Sequence, residues 1–89
     1  MLEYHGAYTR DQESGWYIAE VLDFPGAISQ GRTLKSARRM LRDALRLMAE
    51  CMVERSQPLP RPNPRANAKK ADFQETIRLR IRVQPATGS

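Results

Sequence analysis

The sequence predicts an α+β fold with element order β-β-β-α-β, an antiparallel sheet with one helix packed on one face. Three observations carry that expectation. Residues Gly15–Leu45 read as strand, tight turn, strand and helix with little slack between them. The segment after Thr33 repeats apolar residues at three- and four-residue spacing, and Phe73–Val83 alternates apolar and charged residues.

The first strand is expected over Leu2–Thr9, where Leu2, Tyr4 and Tyr8 oppose Glu3, His5 and Ala7, with Gly6 marking a bend or bulge. A polar hairpin loop, Arg10–Gly15, leads to a second strand over Gly15–Asp23. Aromatic and β-branched residues fill it (Trp16, Tyr17, Ile18, Val21), and Pro-Gly follows. Phe24-Pro25-Gly26-Ala27 reads as a type II turn. Pro25 presets φ near −65° at its second position, and Gly26 supplies the positive φ required at the third. Ala27–Gly31 then returns as a short antiparallel strand.

Thr33 is the expected N-cap, with a capping box left incomplete because Ser36 stands where Glu or Gln would reach back. Leu34, Ala37, Leu41, Ala44, Leu45, Met48, Cys51 and Met52 form the stripe that should lie on the sheet, flanked by Met40 and Leu47. The helix should end near Arg55, ahead of Pro58. Residues 57–70 (QPLPRPNPRANAKK) form a Pro-rich basic connection, extended and largely polyproline-like. The last strand, Phe73–Val83, sets Ile77, Leu79, Ile81 and Val83 against Arg78, Arg80 and Arg82. The arginine side should meet solvent, carboxylates, aromatics or phosphate, because an unpaired buried guanidinium costs too much. Residues 1–84 are expected to be one domain and 85–89 a disordered tail.

With 89 residues, 40% apolar and 28% charged, the chain has globular composition, yet a domain this small buries only about 60–65% of its unfolded surface. A homo-oligomer, dimer or tetramer, is therefore expected, with strand four as the candidate edge. No apolar run approaches the length of a membrane span, the start lacks a signal-peptide pattern, and the single cysteine suits a reducing cytoplasm. The net charge of +5 is unevenly placed. Residues 1–33 hold two cations against five acids, net −3; residues 34–56 hold six against three, net +3; residues 57–89 hold seven against two, net +5. That asymmetry fits a partner surface, nucleic acid included, or simply an arginine-rich genome.

Catalytic and metal chemistry find little support, and no cofactor is expected. His5 is the only histidine and lacks a companion at ligand spacing. Glu20 and Asp23 are three apart in a strand, which turns them to opposite faces. No carboxylate cluster stands at a spacing that would hold Mg²⁺.

The run GWYIAEVLDFPGAISQGRTL resembles the HicB antitoxin-type domain through Gly15, Tyr17, Ala19, Asp23, Phe24, Pro25, Gly26, Ser29, Gln30, Gly31, Thr33 and Leu34, and Pro58-Leu59-Pro60 is also similar. The chain departs from that pattern at Leu22, Ala27, Arg32 and Lys35-Ser36. The resemblance implies a partial ribonuclease-H-like fold without nuclease chemistry, and an antitoxin that binds and neutralises a small RNA-cleaving HicA-like toxin. No helical pattern follows Val83, so the family's C-terminal DNA-binding module is expected to be absent. Gly15, Tyr17, Ala19, Asp23, Pro25, Gly26, Gln30, Gly31 and Thr33 make the structural motif. Trp16, Ile18, Glu20, Arg78, Arg80 and Arg82 are the candidate partner or oligomer contacts. A stand-alone oligomeric module, or nucleic-acid binding by the arginine face with Trp16 or a tyrosine as stacking platform, are the alternatives.

Overall fold

A computed structural model describes residues 1–81. The chain runs β1 (Leu2–Arg10), β2 (Tyr17–Val21), β3 (Ile28–Gly31), α1 (Leu34–Glu54) and β4 (Phe73–Leu79). The strands form one sheet in the order β3-β2-β1-β4, and every neighbouring pair is antiparallel. The expected α+β architecture and element order hold. The lateral order, which alternation cannot give, makes both β3 and β4 edges.

One face of the sheet is covered by α1. Tyr4, Tyr8, Ala19, Val21, Ile77 and Leu79 from the strands meet Ala37, Leu41, Leu45 and Ala49 from the helix. Leu41 and Leu45 are fully buried, each contributing about 1.5–3 kcal/mol. The stripe differs from expectation at its margins. Ala49 lies inside it, whereas Cys51, Met40 and Leu47 turn to solvent, because the contact is narrower than the apolar set of the sequence. The capping box is complete after all. Ser36 N–H donates to Thr33 Oγ1 at 3.1 Å, and Thr33 N–H donates to Ser36 Oγ at 3.2 Å, so the shorter serine does the work expected of Glu or Gln. Ser56, at φ +56°, ends the helix just after its C-cap, Arg55.

Three further expectations change. Gly6 is no bulge, since β1 pairs regularly with Val21 on one side and Glu75 on the other; a side chain there would press on Ile77 under the helix. The second strand is shorter than Gly15–Asp23, because Trp16 closes the hairpin loop through its carbonyl to Asp11 N–H and Leu22 leaves for the turn. The last strand ends at Leu79. Ile81 still packs against the core, while Arg82, Val83 and the expected tail lie outside the described residues. The turn forms as expected, with Ala27 N–H donating to the Phe24 carbonyl at 3.2 Å and Gly26 at φ +92°.

The Pro-rich connection does more than cross the surface. Its Pro60 carbonyl accepts from the Tyr4 hydroxyl at 2.6 Å on the helix side of the sheet. Its Asn63 N–H reaches Asp23 Oδ2 at 2.9 Å beside His5, on the other side. The connection thus passes from face to face beside β1, through the gap left where β2 stops. It then runs along the second face to Gln74, whose side chain bonds to Asn67 Oδ1 and to the backbone of Ala68.

Candidate functional site

Pairing register assigns each strand residue to a face. Since Tyr4, Gly6 and Tyr8 lie under the helix, so do their partners Ala19, Val21, Glu75 and Ile77, and the residues between them face the other way. That second face carries Glu3, His5, Ala7 and Thr9 from β1, Ile18 and Glu20 from β2, Ile28 and Gln30 from β3, and Gln74, Thr76 and Arg78 from β4. The Pro-rich strap covers its β1 side, which is why Ala7 is only 3% exposed. The half built on β2 and β3 is left open.

On that open half Ile18 and Ile28 are 48% and 61% exposed. Ile18 pairs with Gln30 and Ile28 with Glu20, so the two isoleucines are diagonal neighbours. Trp16 stands at the border with the Arg32 guanidinium 5.5 Å from its ring centroid. A groove of about 260 Å³ runs between Asp11, Ser14, Trp16, Ile18 and Gln30. The Ser14 hydroxyl donates to Asp11 Oδ2 at 2.7 Å and, with the Ser14 N–H, holds the Asp11 carboxyl below its ordinary range. The patch is thus two exposed aliphatic groups and an indole, rimmed by Glu20, Gln30, Asp11 and Arg32.

Asp23 positions this face. Its side chain is 2% exposed and accepts from His5 N–H at 2.8 Å, from the His5 ring at 2.8 Å and from Asn63 N–H at 2.9 Å. Burial alone would raise the Asp23 carboxyl, but these bonds outweigh it and hold it below the usual range. The carboxylate stands in for a backbone carbonyl, extending the β1 ladder past the end of β2. His5 therefore serves structure. Glu20 and Asp23 are not set on opposite faces as their spacing indicated, because β2 ends at Val21 and Asp23, beyond it, turns its carboxylate to His5 on the face that carries Glu20. Among the described residues no group of three or more His, Cys, Asp or Glu side chains is placed to hold a metal ion.

The predicted contacts divide. Trp16, Ile18 and Glu20 come together on the open half. Arg78 shares the face but lies on the far edge strand, opposite Glu3, with its Nε 3.9 Å from that carboxylate. Ile18 is opposite Thr9, roughly 20 Å further along β1. Arg80 is exposed beyond the strand end, and Arg82 lies outside the described residues. Trp16 is too far from Arg78 to stack a base beside it, and Tyr4 and Tyr8 are buried under the helix. Of the motif residues, Ala19 is buried, Tyr17 packs on the core, Gly15 closes the hairpin loop, Pro25 and Gly26 make the turn, and Gly31 and Thr33 deliver the helix. Gln30 departs from that role, being exposed in the groove beside Trp16. Sequence reasoning missed Ile28 and Arg32, although Ala27 turning inward by alternation implies that Ile28 turns outward.

Comparison with known proteins agrees with this architecture. A family described as HicB-like antitoxin of bacterial toxin-antitoxin systems matches residues 4–88. A UPF0150 protein of Thermoplasma acidophilum is 32% identical over 62 residues, covering 70% of this chain and 88% of that protein. The crystal structure of the N-terminal domain of Burkholderia pseudomallei antitoxin HicB superposes with a TM-score of 0.74 at 21% identity, over 90% of this chain and 100% of that one. With a match across nearly its whole length and the same sheet and helix, the chain belongs to the HicB-like antitoxin family.

Proposed function

We propose that the chain is the antitoxin of a type II toxin-antitoxin pair, which neutralises a small RNA-cleaving toxin by protein–protein contact through the open half of the sheet. The observation that supports this reading is the uncovered pair Ile18 and Ile28, ringed by Trp16, Glu20 and Gln30. Exposed aliphatic groups beside an indole, with a polar rim, make the centre of a protein interface. Glu20 lies in the acidic first third of the chain, the sign needed to meet a basic ribonuclease. The role is one of binding, not catalysis, and belongs in the cytoplasm, where such an RNA-cleaving partner acts.

The chain also self-associates in this reading. Both edges, β3 and β4, offer unpaired backbone groups, and Met40 and Leu47 stand 45% and 63% exposed on the helix flank. A dimer or tetramer covers part of that surface.

The test is ribonuclease inhibition. The small basic protein encoded beside this chain is purified and its RNA cleavage titrated with wild-type protein and with Ile18→Arg/Ile28→Arg. Stoichiometric inhibition that the double variant loses is expected. Undiminished cleavage at excess wild-type protein, or the lack of any such neighbouring protein, sinks the toxin assignment and leaves a stand-alone oligomeric module.

A further inference from the structure

We propose that the outer face of α1 is a docking surface for double-helical nucleic acid, held by its phosphate backbone. Lys35, Arg38, Arg39, Arg42 and Arg46 fall on one side of the helix at the spacing that stacks side chains along a face. They border a groove of about 600 Å³ whose remaining lining is Thr33, Ser36 and Asp43. From Lys35 to Arg46 the array is roughly 16 Å long. Arg38 and Arg42 are pre-set by Glu75, at 2.7 and 3.4 Å. Arg46 leans loosely on Asp43 and Glu50, at 3.3 and 4.0 Å. Lys35 and Arg39 are exposed, with no ion pair among the described residues.

The placement of these charges opposes helix stability. The N-terminal end of a helix is positive and favours acids, yet the first turn of α1 has none and carries Lys35, while its last turn lacks the cations that would help there. Cations gathered at the positive end raise the potential that an approaching anion meets.

The chemistry of the face selects the partner. A membrane-seeking helix needs an apolar side free to enter lipid, and that side of α1 is buried on the sheet. A protein interface has an apolar or aromatic centre, and no apolar side chain lines this groove. A duplex carries one negative charge per about 1.7 Å of axis, so a straight cationic array of this length always meets several phosphates without reading bases. The face lies across the sheet from Ile18 and Ile28, so this inference stands apart from the toxin reading.

The experiment is fluorescence anisotropy on duplex DNA and duplex RNA of one sequence, about 20 base pairs long, from about 50 to about 200 mM salt. The proteins are wild type, Lys35→Gln/Arg39→Gln/Arg46→Gln, and the charge-matched strap variant Arg61→Gln/Arg65→Gln/Lys69→Gln. Arg38 and Arg42 are kept because they hold Glu75. Wild type should bind, and the helix variant should weaken at least tenfold while its log–log salt slope becomes shallower by roughly 2 to 3, at about 0.9 for each phosphate no longer neutralised. The strap variant should keep its affinity. Binding of DNA alone, RNA alone or both supports the proposal and names the duplex. Absence of binding at the lowest salt, equal weakening in the strap variant, or equally tight capture of a polyglutamate peptide overturns it. The helix variant should melt close to wild type, since losing Lys35 from the first turn of α1 relieves a cation at the positive end while losing Arg46 gives up only exposed pairs with Asp43 and Glu50. That melt verifies that the weaker binding does not come from a damaged fold.

Discussion

The Arg38 guanidinium of α1 clasps the Glu75 carboxylate of β4 through two hydrogen bonds, Nε to Oε2 at 2.9 Å and Nη2 to Oε1 at 2.7 Å. The same carboxylate accepts from the Tyr8 hydroxyl at 2.6 Å. Burial would raise the Glu75 carboxyl, yet Arg38 and Tyr8 hold it below its ordinary range, and the Tyr8 hydroxyl is raised by burial and by its bond to Glu75. One carboxylate thus joins helix, edge strand and central strand.

Glu75→Ala should cost about 1–3 kcal/mol, because it leaves the buried Tyr8 hydroxyl without an acceptor. Tyr8→Phe should cost less, and in the double variant the two losses should fall short of their sum. Urea midpoints measure all three; strictly additive losses would show that the bond carries no coupling.

Gly31→Ala should be more harmful than its size suggests. A Cβ there would stand 2.5 Å from the Ala37 nitrogen and 2.9 Å from its Cα, and this is helix backbone that cannot swing aside. The first turn of α1 must lift from β3, at a cost of about 1–3 kcal/mol. Gly26→Val should lose a similar amount through its φ of +92°. A Gly31→Ala midpoint equal to wild type would refute the close approach.

Acid should unfold the protein through Asp23 and Glu75. Both carboxyls sit below their ordinary values of 3.8 and 4.5 in the folded chain. The stability they contribute is therefore complete above those values and lost as pH falls through the lower folded-state ones. Asp23→Asn should be less stable at neutral pH by about 1–3 kcal/mol, since an amide cannot satisfy three donors. Its stability should also fall less between pH 5 and pH 2, in about the range where the carboxylate titrates. Parallel acid limbs for both proteins in a circular dichroism titration would contradict this.

Ile18→Thr and Ile28→Thr should leave the isolated fold within about 0.5 kcal/mol of wild type, as both side chains are largely exposed. Light scattering of wild type should return at least twice the 10.2 kDa of one chain. A mass near a single chain at micromolar concentration would remove self-association from the proposed function.

Local chemistry made much of the fold legible. The Pro25-Gly26 turn, the Thr33 cap and the Ile77/Leu79 alternation each follow from constraints acting within a few residues. What stayed hidden depends on partners far apart in sequence. That Asp23 would bind His5 and Asn63, or Glu75 bind Arg38, requires the order β3-β2-β1-β4, which alternation does not encode. The same gap groups Arg78 with Trp16 as sites of one kind, when the sheet sets Arg78 on the edge strand β4 and Trp16 at the start of β2, with β1 between them. Trp16, Ile18 and Glu20 are legible because they alternate within a few residues along β2 and the hairpin loop that enters it, and Gln30 reads as scaffold because a motif does not reveal which of its residues face solvent.

The strap that crosses beside β1 also bears on how the chain folds. The units β1, β2, β3 and α1 follow each other by short connections, so their contacts close small loops. The edge strand β4 pairs with β1 from the far end of the domain, Phe73 with Tyr8 and Leu79 with Leu2, and cannot reach it until the strap has rounded the sheet. Long loop closure of this kind is slow. Assembly is therefore expected to begin with the three-stranded core under the helix and to end with closure by β4. Breathing of the native protein should retrace that order, with amides of β4 exchanging with solvent before those shared by β1 and β2.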